Sequence, residues 1–130
     1  MSPLPGFGRT HNPRAQGEHW EGFAQRWLEQ RGLTLEASNY RCRQGEIDLI
    51  MRHGEHLVFV EVRYRRSPHF GSALESVDPR KQRKLLQAAS HYLRRRKGAT
   101  EPPCRFDVVA ITGPQGEEIE WIEDAFGELS

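Results

Sequence analysis

The sequence predicts a mixed α/β or α+β fold in which a central β-sheet is covered by helices, in the order α-β-β-β-α-β-β. Three observations predict it. Two stretches carry apolar residues at helical spacing, three β-rich runs follow one another between them, and two more such runs follow the second helix. No internal repeat is present.

The first helix is expected over about residues 16–31. Trp20, Phe23, Ala24, Trp27 and Leu28 fall there at i, i+3, i+4, i+7 and i+8, on one face, and Gly32 supplies the stop. Residues 33–43 read as a short, irregular strand. GEIDLIM (Gly45–Met51) and EHLVFVEVRY (Glu55–Tyr64) are β-rich runs separated by Arg52-His53-Gly54, the signal of a hairpin. From Ser67 to Val77 there is no periodicity, so a loop is expected. Asp78-Pro79 then offers an N-cap followed by proline at the first helical position, opening a helix that runs to about Arg96. Its apolar stripe is Leu85, Leu86, Ala88, Ala89, Tyr92 and Leu93. CRFDVVAI (Cys104–Ile111) and EIEWI (Glu118–Ile122) close the pattern as strands.

At 130 residues, 36% apolar and 9% aromatic, the chain suits one domain with a packed core, despite a mean hydropathy of -0.76. Residues 17–126 are expected to form that domain, between a flexible N-terminal tail (1–16) and a short C-terminal tail (127–130). No window approaches the roughly 18 apolar residues of a membrane-spanning helix, and the first sixteen residues lack the apolar segment of a secretory signal, so a cytoplasmic protein without membrane partners is expected. Two cysteines, Cys42 and Cys104, cannot frame a disulfide scaffold or fill a four-ligand zinc site. The six histidines show no metal-ligand spacing.

Charge is segregated along the chain. Between Ser76 and Gly98 eight basic residues stand against Asp78 alone, whereas Glu117–Ser130 holds six acids and no Lys or Arg. A protein of this kind has one anion-facing surface, and nucleic acid is the usual cytoplasmic polyanion; a solvated helix face is the plainer alternative.

The hairpin is where chemistry gathers. With its turn centred between His53 and Gly54, Glu46 is expected to face Glu61 and Asp48 to face Phe59. By the period of two, Glu46, Asp48, Glu61 and Arg63 then share one face, while Ile47, Leu49, Met51, Val58, Val60 and Val62 form the core face. Asp48 and Glu61 come close enough to share one cation. Like charges across a sheet repel, so the cluster needs a divalent metal or Arg63 to offset it; edge charges paired to Arg63 are the plainer alternative. Two further polar residues lie on buried stripes. Glu21 precedes Ala24 by three and Leu28 by seven, and Gln82 precedes Leu85 by three and Ala89 by seven. Burying such groups unpaired is costly, so both are expected to join the acids in one polar site.

GEIDLI (45–50), VFVEVRYRR (58–66), FGSALESVDPRKQRKL (70–85) and CRFDVVAI (104–111) closely resemble the YraN family of small bacterial proteins, over nearly all of residues 17–126. That family is placed in the PD-(D/E)XK nuclease superfamily and is similar to archaeal Holliday junction resolvases. The resemblance implies a restriction-endonuclease-like fold and a metal-dependent, structure-selective endonuclease for branched or single-stranded DNA in repair or recombination. It implies that Glu21 is the helix-borne acid, Asp48 and Glu61 the metal-binding carboxylates, Arg63 the occupant of the lysine position and Gln82 the helical glutamine. Mg²⁺ or Mn²⁺ would be held by Asp48, Glu61, the carbonyl of Val62 and Glu21, with Glu46 as a further acid nearby.

The superfamily's motif proline is replaced by Ile47, which leaves metal binding untouched. Arg63 in place of lysine matters more: a guanidinium stabilises charge but is not deprotonated to act as a base. Arg65, Arg66, Arg80, Lys81, Arg83 and Lys84 are expected to hold the phosphate backbone, with Arg94–Lys97 adding contacts at the helix end. A homodimer cutting symmetrically, and a helicase partner, are compatible with this reading. The alternatives are a non-catalytic nucleic-acid-binding adaptor of the same fold and an interaction domain that binds no nucleic acid. His69 and Phe70 lie in the loop after the acids, the tryptophans are expected in the core, and Asp107 is expected to pair with Arg105 or another strand without an assigned role.

Overall fold

Helix α1 spans Pro13–Glu29 in the computed structural model, which describes residues 13–67, 74–98 and 101–127. It starts three residues before Gln16, so the segment expected as tail already contributes a helical turn; residues 1–12 and 128–130 lie outside the described residues. The helix stops where glycine allows it. Gly32 adopts a φ of 96°, and the Leu33 N–H closes back onto the Leu28 carbonyl at 3.2 Å, the long bond of a Schellman cap.

Five strands follow: β1 (Thr34–Cys42), β2 (Gly45–His53), β3 (His56–Arg65), β4 (Cys104–Thr112) and β5 (Glu118–Phe126). They lie side by side in sequence order. All neighbours are antiparallel except β3 and β4, which run parallel because helix α2 (Pro79–Arg95) carries the chain back between them. The expected mixed sheet with a helix on each face is therefore what the chain forms. Asp78 caps α2 as its position predicts, accepting the Lys81 N–H at 2.8 Å with Pro79 behind it. Within the expected loop a short 3-10 turn covers Leu74–Ser76; His69 and Phe70 fall outside the described residues.

The sheet is buried on both sides, which explains the near-continuous apolar run Leu57–Val60. On one side α1 presses Trp20, Ala24 and Leu28 onto Leu49, Met51, Val58, Val60, Val109 and Ile111. On the other, α2 presses Leu85, Ala88 and Ala89 onto Ile47, Ile50, Leu57, Phe59, Phe106 and Val108. Trp20 stacks on Tyr64 with ring centroids 4.1 Å apart, a core role like that expected for the tryptophans. The β4–β5 turn is moulded to the same ring: a Cβ on Gly116, whose φ is 72°, would come within 2.7 Å of Trp20 Cζ3.

Three expectations need correction. The hairpin turn is Gly54-Glu55, with Gly54 at φ 62°, so Ile50 rather than Asp48 faces Phe59, and Leu49 faces Val60. The displacement is two residues. Strict alternation also fails at Ile47, which joins Ile50 in the cluster under α2 although Leu49 lies under α1. Finally β5 runs four residues beyond Ile122, past Asp124 in a left-handed conformation (φ 52°). A bulge opposite Phe106–Val108 accommodates it, and periodicity alone does not reveal a bulge.

Candidate active site

One end of the sheet is left open. The β2–β3 ladder stops at Leu49↔Val60, and beyond it the Val62 N–H bonds not to a strand carbonyl but to Asp48 Oδ2, at 2.9 Å. The strand ends thereby part around a carboxylate. Because α2 returns antiparallel to β3, its first turns arrive at this same end, where Lys81 Nζ lies 3.8 Å from Glu61 Oε2 and the Gly45 backbone packs against Lys84. Crevices beyond the carboxyl ends of parallel strands are the usual binding place in open sheets.

Asp48 is the hub. Glu21 of α1 and Glu61 of β3 each come within hydrogen-bonding reach of its carboxyl group. If all three were ionised they would have no proton to share, and neither Glu21 Oε1 nor Glu61 Oε1, both buried, has a hydrogen-bond partner among the described residues. Burial, the Asp48 charge and, more weakly, Glu46 push Glu21 up to about 8, against a hydrogen bond from Asn39. Burial and Asp48 push Glu61 up to about 7, with Lys81 and Arg63 working against them. Asp48 itself is raised by burial, opposed chiefly by its bond from Val62.

Such a site stores strain that depends on pH. Folded, Glu21 and Glu61 keep protons that the unfolded chain releases near 4.5, so the native state binds more protons between that pH and about 8. Stability is then greatest below pH 4.5 from these groups and declines as pH rises through 7 and 8. Glu61→Gln removes one of the three acids. At pH 8 it is expected to melt about 3 to 6 °C above the parent, for about 1 kcal/mol gained, and the difference is expected to shrink in melts at pH 5.

The remaining expected residues sit as follows. Arg63 lies beside Glu61, Nε to Oε2 3.1 Å, but the N–H is poorly aligned, an ion pair rather than a good hydrogen bond. Glu46 is half-exposed and paired to Arg41 at 3.2 Å, at the rim rather than among the buried acids. Gln82 spends its amide on the Val77 carbonyl (2.9 Å), bracing the start of α2; no hydrogen bond joins it to the acids among the described residues. Arg80, Arg83 and Lys84 are exposed around the helix start, and Arg66 is exposed at the end of β3. Arg65 is half-buried and leans on Thr112 Oγ1 at 3.5 Å. At the far end of α2, about 25 Å away by helical rise, Arg96 is not free for phosphate, because it clamps Glu36 at 2.7 and 3.1 Å. Arg94 and Arg95 are exposed there.

One member of the site, Asn39, has no signal in the sequence. Asn39 reaches Glu21 from β1 and carries a φ of 50°, a conformation asparagine tolerates better than most residues; an isolated Asn in a strand gives no such signal. Lys81 is expected from the sequence as a phosphate contact; its approach to Glu61 at 3.8 Å is what its spacing among other basic residues does not signal.

No group of three His, Cys, Asp or Glu side chains among the described residues is assembled to hold a metal ion by itself. The donor set nonetheless fits a hard cation. Mg²⁺ commonly takes only one or two carboxylates and completes its shell with water and substrate phosphate. Two orphaned carboxylate oxygens beside Asp48 are the donors such an ion would satisfy.

Residues 20–111 match the family described as Uncharacterised protein family UPF0102. The chain belongs to this family. A UPF0102 protein of Nitrosococcus oceani is 54% identical over 118 residues, covering 90% of this chain and 94% of the relative. One of Klebsiella pneumoniae is 55% identical over 113 residues, 86% of each chain. The UPF0102 protein YraN of Escherichia coli is 52% identical over an alignment of 134 positions spanning both chains completely. The stretch matched to UPF0102 contains Glu21, Asn39, Asp48, Glu61, Lys81 and Gln82. No helix among the described residues is long and apolar enough to cross a membrane.

Proposed function

We propose that this UPF0102 protein is a Mg²⁺- or Mn²⁺-dependent endonuclease of the PD-(D/E)XK superfamily, with the restriction-endonuclease-like variant of the mixed sheet. It acts in the cytoplasm on branched or single-stranded DNA, in repair or recombination. The observation that carries the reading is Asp48, held by the Val62 N–H between Glu21 and Glu61, with unpartnered carboxylate oxygens on both neighbours. A cation is the simplest partner for that arrangement, and the cationic first turns of α2 bring it together with phosphate.

Asp48, Glu61, the Val62 carbonyl and Glu21 would hold the ion. When bound, Mg²⁺ or Mn²⁺ supplies a Lewis acid for a phosphate oxygen and lowers the pKa of water. Hydrolysis forms one P–O bond from water and breaks one ester P–O bond, the departing oxygen taking up a proton. Arg63, fixed beside Glu61, stabilises the extra charge on the pentacovalent phosphorus without transferring a proton. Arg66, Arg80, Arg83 and Lys84 hold the flanking backbone, and Arg65 lines its approach. Gln82 serves by bracing the N-terminus of α2 through Val77. A homodimer suits paired cuts in a branched substrate, and a helicase partner would supply such substrates.

Purified protein with Mn²⁺ or Mg²⁺ is expected to cut at least one of four-way junction, flap, single-stranded or duplex DNA, and Asp48→Ala to cut none. Salt-sensitive binding by both proteins without cleavage favours the adaptor reading instead; absence of binding at low salt contradicts both.

A further inference from the structure

We infer that Lys81 is a mobile site cation: it neutralises Glu61 while no metal is bound and transfers to the scissile phosphate when one is. This rests on the nuclease reading and assigns the residue that supplies an ammonium where β3 offers only Arg63.

Two cations meet the same oxygen. Arg63 Nε is 3.1 Å and Lys81 Nζ 3.8 Å from Glu61 Oε2, on a side chain only 7% exposed. Their attachments differ. Arg63 is planar and rises from the same strand as Glu61, two residues on, whereas Lys81 reaches across from α2 on a flexible four-carbon stem. Its backbone is fixed, since its N–H is tied to Asp78 Oδ1 at 2.8 Å, but its side chain is 38% exposed and its ammonium makes no hydrogen bond to the described residues. Lys81 also acts on both acids, opposing the rise at Asp48 as well as at Glu61. With a divalent ion held at these carboxylates, both neighbouring cations would be repelled. Lys81, the more distant, more exposed and more flexible of the two, would yield, and the nearest anion available to it is the substrate's phosphate, approached along the same helix end as Arg80 and Lys84. Lys81 then touches the reacting group with its positive charge, so a change there acts on turnover more than on substrate affinity.

The test compares Lys81→Met and Lys81→Arg with the parent full-length chain. Each is titrated with Mn²⁺ without DNA, and kcat and KM are measured at saturating Mn²⁺ on whichever DNA the parent cuts. Loss of the competing ammonium in Lys81→Met is expected to tighten Mn²⁺ binding about two- to fivefold. Its kcat is expected to fall about 10²- to 10³-fold with KM little changed. Lys81→Arg is expected to restore the parent Mn²⁺ affinity and part of kcat. If Lys81→Met alters only KM, or binds Mn²⁺ no more tightly, Lys81 is an ordinary backbone contact and the inference is overturned while the nuclease reading stands. A parent chain that neither binds Mn²⁺ nor cuts DNA removes that reading, and this inference with it.

Discussion

Asp107→Ala is expected to lose about 3 to 5 kcal/mol of folding stability, the cost of removing one partner from a buried ion pair. Asp107 is wholly buried and accepts four kinds of donor. Arg105 offers Nε at 3.0 Å and Nη2 at 3.2 Å, Trp121 its indole N–H at 2.9 Å, and the Asp124 backbone N–H completes the set at 2.9 Å. Alanine strands all of them. Arg105, only 12% exposed, keeps His53 at 2.8 Å and the more exposed Glu123 at 3.3 Å, which do not replace a buried carboxylate. The Asp124 bond also pins the left-handed residue at the β4–β5 bulge, so the last turn of β5 loosens as well. Against a total of about 5 to 15 kcal/mol such a loss is large. Urea melts of Asp107→Ala should show a much lower midpoint with an unchanged slope; a midpoint within error of the parent's would mean that the network contributes little.

Asp48→Asn is expected to have effects of opposite sign on activity and stability. Cleavage falls about 10³-fold or more, because the hub loses the charge that binds the cation. Stability rises. The amide oxygen still accepts the Val62 N–H, while the new NH₂ group supplies a donor beside Glu21 and Glu61, whose oxygens lack one. A buried like-charge repulsion becomes a hydrogen bond. Melting at pH 8 is expected to rise about 3 to 6 °C per kcal/mol gained, and loss of activity together with loss of stability would instead mark Asp48 as a structural residue. The trade of stability for chemistry is typical of sites that hold like charges together without their cofactor.

Helices and strands were legible wherever one apolar period dominates. Trp20, Ala24 and Leu28 define α1, the Asp78-Pro79 start and Leu85–Ala89 stripe define α2, and the β-rich run Glu55–Tyr64 defines β3, whose burial on both faces only the packing of α1 and α2 reveals. Glu21 is legible as a carboxylate on the buried stripe of α1, and Asp48 as one of the acids on the hairpin face opposite Ile47, Leu49 and Met51. Details decided by backbone irregularity were not legible. The hairpin register depends on which two residues make the turn, and His53-Gly54 and Gly54-Glu55 both contain the needed glycine; the choice moves Asp48 two places, to the level of Glu61. The failure of alternation at Ile47, the left-handed Asn39 and Asp124, and the bulge that lengthens β5 follow from tertiary packing rather than from period. Gln82 illustrates the limit of stripe arguments. Its amide donates to the Val77 carbonyl just before the helix instead of reaching the acids, a local bond that the stripe does not reveal.

The most direct measurement of the central claim is the melting temperature of the parent chain and of Asp48→Asn across a Mn²⁺ titration at pH 8. If Asp48 and its neighbours hold the ion, the parent's melting point climbs with Mn²⁺ and keeps climbing with its logarithm, by about 2.7 kcal/mol of stability at a hundred times Kd, while the variant's stays flat. A parent chain whose melting point ignores Mn²⁺, or a variant that follows the same curve, contradicts the assignment.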